Sequence, residues 1–147
     1  MSLNDRLMAD LKDAMRKHQE VRVSAIRMAR SAIAYEAIDR GRPLDDGEII
    51  GVLSRLIKQR RESIEAFEKG NRPDLVAREQ EELEILLSYM PQQMSRDEIV
   101  QEARATIREV GATGPGDLGK VMSKLAPRLR GRADGRVISD VVRELLS

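Results

Sequence analysis

Net positive charge is concentrated in one stretch of this chain, GKVMSKLAPRLRGRADGRVI, residues 119–138. The stretch contains one acid and six basic residues: Lys120, Lys124, Arg128, Arg130, Arg132 and Arg136. Arg136 falls in the first turn of a predicted helix with Asp134 as its N-cap, and a cation there opposes the helix dipole. A bound phosphate would reverse that sign, because the exposed helix N–H groups and the arginines would then act together. The pattern therefore indicates anion or RNA binding, with Gly131 and Gly135 allowing close approach of the backbone.

Two other interpretations of this stretch stay open: a solvated loop of unremarkable charge, and a basic surface that docks another protein. The formal net charge of the whole chain is only +1, so attraction to nucleic acid has to come from a local patch. The aromatic residues are Tyr35, Phe67 and Tyr89, and proteins that read unpaired bases usually stack them on aromatic rings. Phosphate and shape are therefore the RNA features that we expect this protein to recognise.

Composition argues against several other kinds of site. The chain has no cysteine and one histidine, His18, so disulfides, thiol catalysis and the usual zinc or transition-metal ligand sets are not expected. It has no phosphate-binding loop, no dinucleotide fingerprint, no apolar run of membrane-spanning length and no signal-peptide core. We expect no metal, no cofactor, no membrane partner, an exposed His18 and a cytoplasmic location. The acidic run EQEELE, residues 79–84, is expected to be a solvated helix face.

Almost every segment of the chain has the pattern of a helix. Asp45 with Glu48, and Ser95 with Glu98, form capping-box patterns at two helix starts. The predicted helices are Leu3–Lys17 after the cap Ser2, Val21–Arg40, a third from Asp45 to Gly70, Pro73–Tyr89, Arg96–Val110, Asp117–Ala126 and Gly135–Leu146. The three-residue connection before Pro73 predicts an antiparallel hairpin of two long helices.

The stretch MPQQMS, residues 90–95, marks the best boundary between domains, because Pro91 stops one helix and Ser95 caps the next. We therefore predict an all-α fold with three parts along the chain. These parts are an N-terminal helical domain with the long antiparallel hairpin over residues 1–90, a linker over 91–95, and a small three-helix bundle over 96–147.

Arginines inside apolar helix stripes need partners of their own. Arg60 falls within the apolar stripe of the third helix, where an unpaired guanidinium would be very costly. Glu79 lies on the matching face of the next helix, so we predict a structural ion pair between Arg60 and Glu79. Arg27 and Arg30, in AIRMARSA, pose the same question without an obvious partner, and are weak site candidates.

Four stretches spread along the chain carry a family resemblance: SAIRMARSAIAYEA, LSRLIKQRRESIEAFEKGNRPDLV, SYMPQQMS, and GKVM with GRADGRVI. Together they resemble the YqeY family along the whole chain. The last stretch is also similar to the tail domain of GatB, a subunit of the amidotransferase that converts misacylated Glu-tRNA or Asp-tRNA to the glutaminyl or asparaginyl form. A similar module is appended to some glutaminyl-tRNA synthetases. The chain departs from the family's tendency to leucine at Met90 and Met94, which affects packing.

The resemblance implies two helical domains and tRNA as the natural partner. It places the tRNA contacts on the six basic residues: Lys120, Lys124, Arg128, Arg130, Arg132 and Arg136. The expected function is that of a non-catalytic tRNA-binding accessory protein, with amidotransferase or tRNA synthetase proteins as further partners. Two alternatives stay open. One is a component of an amidotransferase, a carbon–nitrogen ligase with glutamine as amido donor, which would need other subunits for catalysis; the other is a protein-docking module.

Overall fold

The computed structural model describes all 147 residues, most of which lie in seven α-helices. The helices are α1 (Leu3–Arg16), α2 (Glu20–Arg40), α3 (Asp46–Lys69), α4 (Pro73–Leu87), α5 (Arg96–Val110), α6 (Leu118–Arg128) and α7 (Gly135–Leu146). A single 3₁₀ turn, Pro115–Asp117, precedes α6, and no residue lies in a β-strand. The predicted all-α fold is confirmed.

Polar side chains cap the starts of α1, α3 and α5 at the residues that the sequence predicts. Asp45 and Ser95 accept hydrogen bonds from the backbone N–H groups of Glu48 and Glu98. The two glutamate side chains accept in return from the backbone N–H of each cap residue, at 3.1 Å in both cases. Both capping boxes are therefore confirmed, and the Ser2 hydroxyl caps α1 by the same local chemistry.

Helix α4 ends at Leu87, two residues before the predicted end at Tyr89. The backbone N–H groups of Tyr89 and Met90 donate to carbonyls only three residues earlier, at 3.1 and 3.0 Å. The chain therefore tightens into a 3₁₀-like turn after Leu87, a common way of satisfying the last carbonyls of a helix.

Helix α6 runs to Arg128, two residues beyond the predicted end at Ala126. Pro127 lies inside its last turn, and the N–H of Leu129 donates across the proline to the Leu125 carbonyl at 3.2 Å. A proline removes its own N–H donor, whereas the bonds on either side of it can still form at a helix end. The preference against α-conformation before proline is thus overridden here.

Residues Met1–Met90 form a compact N-terminal unit that contains α1 to α4. Helices α3 and α4 are joined by residues 70–72 and pack against each other, and α2 packs against all three of its neighbours. Its buried core draws on all four helices and on the turn after α4: Leu3, Leu7, Leu11, Ile26, Ala29, Ile33, Ile49, Val52, Leu53, Leu56, Ile57, Leu86 and Tyr89.

A buried ion-pair cluster joins α3 to α4. Arg60 Nη1 lies 3.3 Å from Glu79 Oε2 and 3.1 Å from Glu82 Oε2, so the predicted pair with Glu79 is confirmed. Glu82 also lies 3.8 Å from Arg78 Nε. The expectation of a solvated face over residues 79–84 is wrong for Glu82, whose side chain is 6% exposed. Because Glu79, Glu82 and Leu86 are spaced three and four residues apart, they share the side of α4 that faces α3.

Residues Pro91–Ser147 form a second compact unit, in which α5, α6 and α7 each pack against the other two. The buried core of this C-terminal unit is aliphatic: Ile99, Ala103, Val121, Leu125, Leu129, Ile138, Val141, Val142 and Leu146. The buried hydroxyl of Thr106 donates to the carbonyl of Glu102 at 2.9 Å, which satisfies the one polar side chain in this core. The three helices thus form a bundle that presents the basic stretch.

Candidate nucleic-acid interface

Three of the predicted basic residues form a stripe along α6. Lys120, Lys124 and Arg128 are spaced four residues apart, so they lie on one face of the helix, and all three are exposed. Val121 and Leu125 on the other side of α6 are fully buried and anchor it to the bundle. The core packing of the C-terminal unit therefore turns this basic stripe toward solvent.

A glutamate on α5 binds two of these cations. Glu109 Oε1 lies 2.9 Å from Lys124 Nζ, and the two Glu109 oxygens accept from the Arg128 guanidinium at 2.9 and 3.1 Å. The Arg128 guanidinium, and after it the Lys124 ammonium, lowers the pKa of Glu109 from 4.5 to about 2. The carboxylate is therefore ionised at neutral pH, and these two cations have an internal counter-ion.

The loop between α6 and α7 is held in place by the segment that enters α5. The Gln93 side-chain amide donates to the carbonyl of Gly131 at 2.8 Å, and the Met94 N–H donates to the carbonyl of Arg132 at 2.8 Å. Gly131 has a φ of +80°, a left-handed conformation that favours glycine. Leu129, at the start of the loop, is buried in the bundle core. These contacts fix the backbone that carries the loop arginines.

The remaining predicted arginines lie in this loop and in the first turn of α7. Arg130, Arg132 and Arg136 are all exposed. Arg132 Nε donates to the carbonyl of Gln92 at 3.3 Å. The backbone N–H of Arg136 donates to the Asp134 carboxylate at 2.7 Å, so the predicted N-cap is confirmed. The surface thus places guanidinium groups beside a helix N-terminus that the Asp134 carboxylate caps.

We call the six exposed residues the basic face: Lys120, Lys124, Arg128, Arg130, Arg132 and Arg136. Sequence reasoning found its cations but missed the residues that control them. Glu109 lies 15 residues before Lys124, and Gln93 lies 38 residues before Gly131. The sequence signal for Gln93 was limited to its place in MPQQMS, whereas nothing local in the sequence links Glu109 to α6.

Three other predicted features lie in the N-terminal unit. His18 is exposed, as expected, and has a φ of +54° in the turn between α1 and α2. Arg27 is exposed, and its Nη2 lies 3.9 Å from the sulfur of Met15. Arg30 is half-buried, and its Nε is buried without a hydrogen-bond partner. None of these three residues is part of the basic face, which belongs to the C-terminal unit.

The N-terminal unit also contains a cleft of about 640 Å³. Four carboxylates are among the groups that line it: Asp10, Glu20, Glu81 and Glu84. Beside it the buried Tyr89 hydroxyl donates to Asp10 Oδ2 at 2.6 Å, and burial, followed by this bond, raises the pKa of Tyr89. Because the four carboxylates outnumber the one arginine of the lining, Arg22, the cleft would repel phosphate, and the basic face is the better candidate for binding nucleic acid.

None of the helices has both the length and the apolar character that crossing a membrane requires. No three histidine, cysteine, aspartate or glutamate side chains are grouped so that they could share a metal ion.

The chain is similar to several proteins named Altered inheritance of mitochondria protein 41, mitochondrial. It is 44% identical to the one from Lachancea thermotolerans over 87 residues, which are 58% of this chain and 46% of that protein. The chain therefore spans about half the length of that relative. Identity is 36% to the protein from Eremothecium gossypii, over 82% of this chain and 68% of the relative. The chain is 30% identical to the protein from Pyrenophora tritici-repentis, over 96% of this chain and 79% of the relative.

These relatives correct one expectation from the sequence. A cytoplasmic location was expected, whereas all three relatives are named as mitochondrial proteins, so that expectation is wrong. The expectation depended partly on the lack of cysteine, which reports on disulfide chemistry and does not distinguish one reducing compartment from another.

The comparison with family models covers nearly the whole chain. The model described as Yqey-like protein matches residues 4–146. This range includes all seven helices except Leu3, the first residue of α1. The match spans both compact units and includes every residue of the basic face. The resemblance seen in the sequence is confirmed, and the chain belongs to the YqeY family.

Proposed function

We propose that this protein is a non-catalytic accessory protein that binds tRNA through the basic face of its C-terminal unit. The observation that carries the proposal is the exposure of all six cations on one three-helix bundle, with their loop fixed by hydrogen bonds. A fixed loop loses little conformational freedom on binding, so more of the attraction between cations and phosphates is available as affinity.

Backbone phosphate is the chemical group that this surface fits best. Lysine and arginine side chains, glycine at close-approach positions and a helix N-terminus all favour an anion. The basic face contains no aromatic residue on which an unpaired base could stack. Recognition would therefore depend on the shape and charge of folded RNA, as it does in proteins that bind structured RNA without reading its bases.

The length of the basic stretch allows only a few phosphate contacts. We expect about four phosphate contacts, a salt slope of about −3 and about a fifty-fold loss of affinity from 50 to 200 mM salt. A salt slope of this size is typical of a protein that contacts few phosphates, whereas a general polycation would show a steeper slope.

Fluorescence anisotropy with labelled tRNA at these two salt concentrations tests the proposal. The binding variant combines Lys120→Glu, Arg130→Glu and Arg132→Glu. The matched control combines Lys12→Glu, Lys58→Glu and Lys69→Glu, three exposed lysines of the N-terminal unit, and has the same net charge. Because the relatives are named as mitochondrial proteins, a mitochondrial tRNA pool is compared with bulk tRNA.

We expect the binding variant to lose at least about fifty-fold in affinity and the control to lose less than about five-fold. Equal, weak binding by the native protein and the binding variant would overturn the proposal. An equally large loss in the control would overturn it as well, because net charge rather than the basic face would then be responsible.

A further inference from the structure

The side of α2 that faces away from the core is unusual for a chain in which 35% of residues are charged. Eight residues at helical spacing form this side, which we call the outer face: Ser24, Arg27, Met28, Ser31, Ala34, Tyr35, Ile38 and Asp39. Met28, Tyr35 and Ile38 are 38%, 77% and 80% exposed. Its charged members, Arg27 and Asp39, lie near its two ends. Small and apolar side chains therefore fill the centre of an exposed helix face, as in interfaces with a polar rim.

We propose that the outer face is a dimer interface, occupied by a second copy of this chain whose α2 runs antiparallel. The two-fold axis passes through the outer face at the level of Ile33, whose own side chain points into the core. This axis generates three complementary pairings. Met28 meets Ile38 of the second copy, and the small Ser31 meets the large Tyr35. Arg27 meets Asp39, and the symmetry repeats each pairing once.

Charge and shape together favour this occupant. Sequence positions that sum to 66 face each other across such an axis, and 28 with 38, 31 with 35 and 27 with 39 all satisfy this condition. A parallel arrangement would instead set Arg27 against Arg27 and Tyr35 against Tyr35. In the single chain Arg27 Nη2 lies 3.9 Å from the Met15 sulfur, a weak acceptor that a carboxylate from a second copy would improve upon.

The size of the outer face predicts the strength of the association. From Ser24 to Asp39 the helix is about 24 Å long, and one helix face buries less than the roughly 800 Å² per partner of a standard interface. We therefore expect a reversible dimer with a dissociation constant on the order of 10–100 μM. The serines and Ala34 allow the two helix axes to approach closely. The inference uses no residue of the basic face and is independent of tRNA binding.

Sedimentation equilibrium of the full chain, between about 5 and 500 μM, measures this association. The variants are Arg27→Glu, Asp39→Arg and the two combined. Each single variant creates two like-charge contacts at the rim, so we expect about ten-fold weaker dimerisation. The combined variant exchanges the charges and restores both pairings, so its dissociation constant should return to within about three-fold of the native value.

Lys58→Glu is the control, because it reverses an exposed charge on α3, away from the outer face. Circular dichroism and thermal unfolding establish that all four variants are folded. A monomer at every concentration would overturn the proposal and leave a different protein as the occupant. A dimer that tolerates Arg27→Glu, or a combined variant no better than either single variant, would also overturn it, since the contact would then use another surface.

Discussion

Each unit of this protein joins two helices with a cluster of charged side chains, and the two clusters are centred on charges of opposite sign. In the N-terminal unit one cation, Arg60, lies between Glu79 and Glu82. In the C-terminal unit one anion, Glu109, lies between Lys124 and Arg128. The Arg60 side chain is 15% exposed, whereas that of Glu109 is 42% exposed. The same ion-pair chemistry is therefore found once in the interior and once at the surface.

The difference in burial gives the two clusters different roles. Charges inside a protein interact strongly and are costly to leave without a partner, so the Arg60 cluster ties α3 to α4. Charges at the surface are screened by water and salt, and pairs there contribute little to stability. The Glu109 cluster instead adjusts how much positive charge the basic face presents. We therefore expect one cluster to act on the free energy of unfolding and the other on the proposed binding of tRNA.

The largest effect is expected from Arg60→Met. The substitution removes the buried guanidinium that Glu79 and Glu82 share and leaves the exposed Arg78, 3.8 Å from Glu82, as the remaining cation. We expect the free energy of unfolding to fall by about 3 kcal/mol. Denaturant unfolding of the full chain, followed by circular dichroism, measures it. Lys58→Met, two residues earlier and exposed on the same helix, should change stability by less than about 0.5 kcal/mol. A loss below about 1 kcal/mol for Arg60→Met would show that the cluster contributes little to the stability of the unit.

A smaller loss of stability is expected from Tyr89→Phe in the same unit. The change removes the 2.6 Å hydrogen bond from the Tyr89 hydroxyl to Asp10. Asp10 then still has its ion pair with the Arg22 guanidinium, at 3.6 Å. We expect the free energy of unfolding to fall by about 1.5 kcal/mol, as for other hydrogen bonds to a charged group. Tyr35→Phe is the matched control, since the Tyr35 ring is 77% exposed. If the two substitutions lower the free energy of unfolding equally, the buried hydrogen bond of Tyr89 does not stabilise the unit more than the exposed Tyr35 hydroxyl does.

Glu109→Gln tests the surface cluster, and its effect is expected in binding. The substitution releases Lys124 and Arg128 to phosphate, so tRNA affinity should rise about five-fold at 50 mM salt and the salt slope should steepen by up to about two. The melting temperature should fall by far less than it does for Arg60→Met, because an exposed ion pair contributes little to stability. Glu81→Gln, an exposed site in the N-terminal unit, makes the same change in net charge. If it raises the affinity as much as Glu109→Gln, the surface cluster does not tune binding.

The smallest effect is a shift in titration. Carbon NMR of the Glu109 carboxyl should report a pKa of about 2, and Arg128→Ala should move it toward the ordinary value of 4.5. Because the folded-state pKa is lowered, the pairing contributes its full stability above about pH 4.5 and loses it as the pH falls toward 2. An unshifted pKa in the native protein would show that the contacts of Glu109 with Lys124 and Arg128 do not persist in solution.

Most of the helices could be predicted because their signals are local. The capping boxes at Asp45 and Ser95 act over three residues, and apolar spacing acts over one or two turns. Helix ends were less well predicted, as at Pro127, because tertiary packing and a single bond from Leu129 outweigh a local preference. The Arg60–Glu79 pair was predictable because a three-residue loop leaves an antiparallel hairpin as the simplest arrangement of its two helices.

The sequence by itself determined the all-α class, the helix caps and the positions of the six cations, since each depends on residue type and short spacing. Tertiary structure decided that Glu82 is buried, that Glu109 neutralises Lys124 and Arg128, and that Gln93 fixes the loop at Gly131. Between 15 and 38 residues separate the partners in these contacts. Helical periodicity says which residues share a face of one helix, whereas the choice of facing residues on another helix depends on how the cores pack.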